Sequence, residues 1–354
     1  MIQVSGIAIV LLLCLLLSSC GTPDDQQAWE SVPLPDISAQ PVKLSVANVV
    51  NQRFRQLSDM QIERILSHAE ELVKQHFDIE VELVLTDTLS IEQLFSTLNE
   101  QVVNHRKKEI VDFDNLQDSM REDMQVSLYR TLEAYSAIQQ SVIDYAQPWL
   151  LDPETRHEDF ISLSYALVDT LLARLDYWVS QKAGDGNPVV DDQPYHQWVW
   201  WDSLGYDALP YDVILTNQLV ASAEYYGMDV HSSLRGGITA GTTTYSKRAK
   251  LGTYAYITVY PLINDSTLLT KLRADRHYDD EQVIKYAAAL LTHELGHLLL
   301  HLGHPFGKDA CVMSPTVMLN YRRWYDGFDA DSCKLGSMPS MTPGAAIIEY
   351  NSNW

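Results

Sequence analysis

Apolar positions from Ser58 onward recur every three or four residues: Ile62, Ile65, Leu66, Ala69, Leu72 and Val73, with His76 on the same face. That period gathers them on one stripe of an α-helix, and the Ser58 hydroxyl suits the cap of its first turn. The period then shortens to two. Ile79, Val81, Leu83 and Leu85 fall on alternate positions, the pattern of a half-buried strand, and Val42 to Val50 forms a further apolar run ahead of the helix. The chain therefore opens as strand, helix, strand.

Helical spacing returns and persists over about 90–182. Leu116, Met120, Met124, Leu128, Leu132, Tyr135, Ile138 and Val142 step by three or four, as do Phe160, Leu163, Leu167, Leu171, Leu175 and Trp178. This stretch reads as a helical insertion, and His105 and His157 within it have no ligand spacing. Ala183-Gly-Asp-Gly-Asn-Pro188 breaks it. The aromatic stretch that follows (Tyr195, His196, Trp198, Trp200, Trp201) reads as a packed loop anchoring the insertion, with a cleft rim as the alternative. Tyr211 to Thr216 is a short apolar run between turn signals, which suits a buried strand. Gly237 to Tyr245 and Thr253 to Tyr260 flank a Lys/Arg/Gly turn and predict a hairpin. Phe328 to Trp354 has Gly, Pro and Ser with little periodicity, which predicts an irregular C-terminal lobe. Strands interleaved with helices give an α/β class with a mixed twisted sheet.

The densest chemistry lies in His293-Glu294-Leu295-Gly296-His297, inside a long helical run that begins with acids at Asp279, Asp280 and Glu281. Histidines four apart share a helix face, so both imidazoles reach one cation, and the glutamate between them sits beside the metal without binding it. Neutral nitrogen ligands, an open position and a carboxylate to take a proton are what a hydrolytic zinc site requires. His301 and His304 compete for the third ligand position. An unbroken helix carries His301 about 12 Å beyond His293, out of reach. His304 follows Gly303, which can take positive φ and turn the chain back, and Pro305 stops the helix. The expected ligands are therefore His293, His297 and His304 around one Zn²⁺, with Glu294 as general base and His301 on the last helical turn.

Composition narrows the partners. The chain of 354 residues is 46% hydrophobic, enough for a large core. It carries 47 Asp and Glu against 25 Lys and Arg, a formal net charge of −22, which disfavours nucleic acid and anionic lipid surfaces. The expected partner is a peptide or protein substrate.

Three resemblances add to this reading. The run from His293 resembles the H-E-x-x-H-x-x-G-x-x-H motif of metzincin zinc metallopeptidases, and the short gap to Cys311-Val312-Met313 is most similar to the archaemetzincin branch. The resemblance implies a zincin-like fold over residues 42–354, peptide-bond hydrolysis, Met313 as the methionine of a turn beneath the metal, and an edge strand that pairs with an extended substrate. Tyr321 or Tyr325, beyond that turn, would hydrogen-bond the oxyanion. The chain departs from the motif at Leu300 and Gly303, where the family has glycine and its third histidine, and it lacks the cysteines for a second, four-Cys zinc site.

Residues 1–20 resemble a bacterial lipoprotein signal, with an apolar centre from Ile7 to Leu17 and Leu17-Ser18-Ser19-Cys20 at its end, though no Lys or Arg precedes the apolar run. This implies cleavage before Cys20, acylation of its thiol, a lipid anchor in a bacterial envelope and, with Gly21 in place of Asp, the outer membrane. Residues 21–41, with Pro33, Pro35 and Pro41, read as a flexible tether. Cys14 leaves with the signal and Cys20 carries lipid, so Cys311 and Cys333 remain to form a disulfide. Another class of function stays open: a degenerate zincin that binds zinc or an envelope partner without turnover, or a scaffold for the helical insertion. Glu294 argues against pure scaffolding, since a structural site has no use for a base.

Overall fold

The computed structural model describes residues 29–98, 100–101, 104, 121–205, 209–221, 229–245, 253–305, 308 and 310–351. The signal segment with Cys14 and Cys20, and His105, lie outside the described residues. In chain order the elements used below are β1 (Trp29–Ser31), β2 (Val42–Val50), α1 (Asp59–Phe77), β3 (Val81–Ser90), α2 (Arg121–Glu133), α3 (Gln139–Ala146), α4 (Phe160–Ser180), α5 (Trp198–Leu204), β4 (Val213–Thr216), α6 (Val230–Arg235), β5 (Gly241–Thr244), β6 (Tyr254–Thr258), α7 (Asp280–Leu300), α8 (Tyr321–Asp326) and β7 (Glu349–Asn351).

A mixed five-stranded sheet in the order β3-β2-β4-β6-β5 carries the fold, and the protein is of the α/β class. The first four strands run parallel and β5 closes one edge antiparallel to β6. Alternation along the strands sorts their side chains between two layers. Leu44, Val46, Val213, Leu215, Ala255 and Ile257 enter the larger core with α1 and α7, while Ala47, Val49, Ile214, Tyr254 and Tyr256 enter a second core on the opposite face. Burial on both faces is what short, nearly all-apolar strands such as β4 require.

Helix α1 bears out its sequence pattern. Ser58 Oγ accepts from the Gln61 N–H at 3.3 Å while Gln61 Oε1 accepts from the Ser58 N–H at 2.9 Å, and Ile62, Ile65, Leu66, Ala69, Leu72, Val73 and His76 are all buried. Between β3 and β4, α2 and α4 bury Met124, Leu128, Leu132, Leu163, Leu167, Leu171 and Leu175, and α4 also packs on α6. The aromatic stretch is packed: Trp201 is fully enclosed, its ring 5.1 Å from Phe95 and 4.9 Å from Tyr256, and its Nε1 donates to the Tyr195 carbonyl at 2.8 Å.

Two expectations need correction. The flexible tether does not extend to residue 41, because β1 pairs antiparallel with β7 and the Val32 N–H donates to the Ile348 carbonyl at 2.9 Å. A polar, proline-containing segment becomes ordered here because a remote strand satisfies its backbone. The strand expected from Gly237 is also shorter, beginning at Gly241, since Ile238 pairs instead with Ala221.

Cys311 and Cys333 are bridged, with Cα atoms 5.0 Å apart across 22 residues, and tie the C-terminal lobe to the turn beneath α7. Closing a loop of that length stabilises the fold by about 3 kcal/mol in the chain-entropy model. Replacing both cysteines by serine is expected to lower the melting temperature accordingly, and thiol labelling of the native, unreduced protein should reach neither residue.

Candidate metal centre

Helix α7 delivers the site. Asp279 and Gln282 form its capping box, with the Gln282 N–H donating to Asp279 Oδ1 at 2.8 Å and the Asp279 N–H to Gln282 Oε1 at 3.1 Å. Asp280 and Glu281 place negative charge where the helix dipole favours it. Beyond its first turn the helix is buried nearly all round, which holds the residues on its last two turns rigidly.

Its end differs from the sequence expectation. Gly303 does not make the turn. His301 does, at φ 48° and ψ 46°, so it stands past the last helical residue. The His301 N–H donates to the His297 carbonyl at 2.9 Å and also to the Gly296 carbonyl, which further accepts from the Leu302 N–H at 3.3 Å, so the last turn closes on a left-handed residue. A left-handed conformation costs a side-chain-bearing residue roughly 1–2 kcal/mol. The C-terminal lobe offsets it: the Gly344 N–H takes the Leu300 carbonyl and the Ala346 N–H takes the His301 carbonyl, both at 2.8 Å.

His304 nevertheless arrives where expected. The Nε2 atoms of His293, His297 and His304 form a triangle with sides of 3.2, 3.0 and 3.2 Å. His293 Nδ1 lies 2.8 Å from the Val312 carbonyl and His297 Nδ1 lies 2.7 Å from the Leu302 carbonyl. A carbonyl only accepts, so both Nδ1 atoms carry protons and both Nε2 atoms present bare lone pairs. Two lone pairs at that separation repel unless a cation lies between them. Tetrahedral zinc with bonds of about 2.0–2.1 Å spaces its nitrogens about 3.3 Å apart, so the donor set fits this ion. Burial, with the neighbouring imidazoles, holds His293 well below its ordinary pKa, and burial lowers His297 to about 3, so both are neutral at pH 7, the form in which an imidazole can hold a metal.

Glu294 points to the sheet side. Its Oε2 accepts from Thr243 Oγ1 on β5 at 2.9 Å, and a Cβ on Gly241 would lie only 2.7 Å from its Oε1. Burial pushes its carboxyl up to about 8, with the Thr243 hydroxyl pulling it back, and a cation held by the adjacent imidazoles would favour the ionised form that a base requires. Met313 is fully enclosed beneath the helix. A Cβ on Gly296 would meet Met313 Sδ at 2.4 Å and Phe77 Cζ at 3.0 Å, so residue 296 must lack a side chain for the methionine to reach the helix. Gly296→Ala is expected to destabilise the protein by about 1–3 kcal/mol through overpacking, despite alanine's better helix propensity. A thermal melt of the variant checks this.

Of the two tyrosines expected at the oxyanion, only Tyr325 is engaged elsewhere, and the Tyr321 hydroxyl is buried without a hydrogen-bond partner among the described residues. Tyr325 is engaged by His68 Nε2 at 2.8 Å, and Tyr321 is fully buried in a cluster with Tyr278, Tyr286 and Trp324, ring centroids 6.4 Å away in each case. His157 joins no ligand cluster among the described residues. Sequence reasoning missed Thr243, Gly241 and the Val312 carbonyl. It also missed Tyr245, whose hydroxyl donates to the His297 carbonyl at 2.9 Å, and Arg235, whose charge bears on His293 and His304. Only the Gly and Thr residues of the expected strand, which suit close backbone approach, hinted at the first pair. Among the described residues no helix is long and apolar enough to cross a membrane.

No protein-family model and no curated protein matches the chain. Among solved structures it is similar to a zinc-dependent peptidase from Methanocorpusculum labreanum, at 10% identity and a TM-score of 0.27, over 80% of this chain and 94% of that one.

Proposed function

We propose that this protein is a zinc-dependent peptidase of metzincin-like design. The observation that carries the reading is the convergence of three imidazole nitrogens, at least two of them bare lone pairs, beside a buried carboxylate at the foot of an edge strand. Zinc held by His293, His297 and His304 supplies Lewis acidity toward a carbonyl and toward water. Glu294 accepts the proton of the attacking water and passes it to the departing amine. The β5 edge offers backbone groups for an extended peptide. Met313 beneath the ligand helix supports the metzincin-like assignment, and the archaemetzincin branch remains the nearest pattern in the motif. The N-terminal segment supports a lipid-anchored protein of a bacterial outer membrane, acting on a peptide or protein substrate, with no nucleic-acid partner.

The test is zinc content of the purified chain together with cleavage of an unbiased peptide library, before and after chelation and with zinc restored. Cleavage that disappears on chelation and returns with zinc is expected. Stoichiometric zinc without cleavage of any peptide would instead leave a zinc-binding envelope protein.

A further inference from the structure

Glu294 is held from one side by two residues of a single strand. Thr243 Oγ1 lies 2.9 Å from Oε2 and 3.1 Å from the main-chain oxygen of the same glutamate. Its one proton can serve only one acceptor at a time, and the side-chain oxygen is the nearer. Gly241 completes the contact, because Oε1 occupies the space a Cβ there would need. The carboxylate is thereby located by a hydroxyl on one oxygen and by main chain against the other.

The same two residues face outward along the backbone. The Thr258 N–H donates to the Ala240 carbonyl at 2.7 Å, and the register pairs Gly241 with Ile257 and Thr243 with Ala255. In an antiparallel ladder, hydrogen-bonded and non-hydrogen-bonded pairs alternate. Ala240 and Thr242 therefore turn their N–H and C=O groups to β6, while Gly241 and Thr243 turn theirs to the outer edge of the sheet. Side chains alternate with the same period, so Gly241 and Thr243 share the face toward Glu294 and Thr242 faces away, its Oγ1 3.4 Å from Trp198 Nε1.

We propose that Thr243 is the positioning residue for Glu294, and that β5 couples docking of an extended peptide to the orientation of the base. This rests on the peptidase reading above. A peptide that adds to the β5 edge hydrogen-bonds the backbone of the residues whose side-chain faces bracket the carboxylate, so pairing with that edge steadies the base. Substrates long enough to pair with both Gly241 and Thr243 gain turnover as well as binding, since remote binding energy is then used at the reacting centre.

The experiment uses the zinc-loaded full chain with Thr243→Val, Thr243→Ser, Glu294→Ala and the Thr243→Val/Glu294→Ala double variant. Thr243→Val is expected to lower kcat about tenfold, the effect of losing one hydrogen bond, with KM and zinc content unchanged. Thr243→Ser should restore it. A readout independent of turnover is the affinity for acetohydroxamate, a zinc chelator whose hydroxyl Glu294 can accept. Thr243→Val should weaken it in the wild-type background and have no effect once Glu294 is alanine. Equal weakening in both backgrounds, or failure of serine to restore kcat, would overturn the positioning role. If no peptide is hydrolysed by the wild type, the peptidase reading fails while the acetohydroxamate cycle still decides this one.

Discussion

Glu294→Gln is expected to reduce peptide turnover by about two or more orders of magnitude while zinc content stays unchanged. Glutamine keeps the shape of the side chain, and its amide oxygen can still accept from Thr243 Oγ1. It loses the capacity to take a proton. None of the three ligand nitrogens belongs to residue 294, so the imidazole triangle stays intact. Zinc content by elemental analysis, alongside kcat on a peptide drawn from the library, separates the two effects. Wild-type turnover in the variant would remove Glu294 as the base, and loss of zinc would move it into the ligand set.

His304→Ala is expected to lose zinc, whereas His301→Ala should retain it. His304 Nε2 stands 3.0 and 3.2 Å from the other two ligand nitrogens, so alanine leaves a two-coordinate remnant. The loss in affinity should exceed the roughly 10–100-fold that removing an outer hydrogen-bond partner of a ligand costs. His301 is different in kind. Its backbone turns the chain at φ 48°, its ring lies 5.1 Å from that of Tyr245, and it is 3% exposed. His301→Ala should therefore lower stability without emptying the site, and His301→Gly should recover part of that loss because glycine adopts this conformation freely. Zinc affinity by chelator competition, with a thermal melt of each variant, reads both quantities. The opposite assignment would show zinc lost on replacing His301 and kept on replacing His304.

The sequence by itself determined several of the elements and the juxtaposition of His293 and His297. Helix α1, with its Ser58 cap and buried stripe, and strand β2 over Val42–Val50 were legible because their information is local: a period of 3.6, an apolar run, and a cap beside the first turn. The partnership of His293 with His297 follows from helical spacing alone. His304 was legible for a partly mistaken reason, since the turn that delivers it is made at His301. Glycine 303 is the better local candidate for positive φ. The hydrogen bonds that Gly344 and Ala346 give to the end of α7 come from a segment some forty residues onward and decide otherwise. The same separation hid Thr243, which meets Glu294 across 51 residues, and the pairing of Trp29–Ser31 with Glu349–Asn351. It also made Tyr325 look available to the site when His68 on α1 engages it. Periodicity states which face of an element is buried, but only the packed structure states which remote groups satisfy a given carbonyl, hydroxyl or carboxylate, and those groups set the geometry of the site.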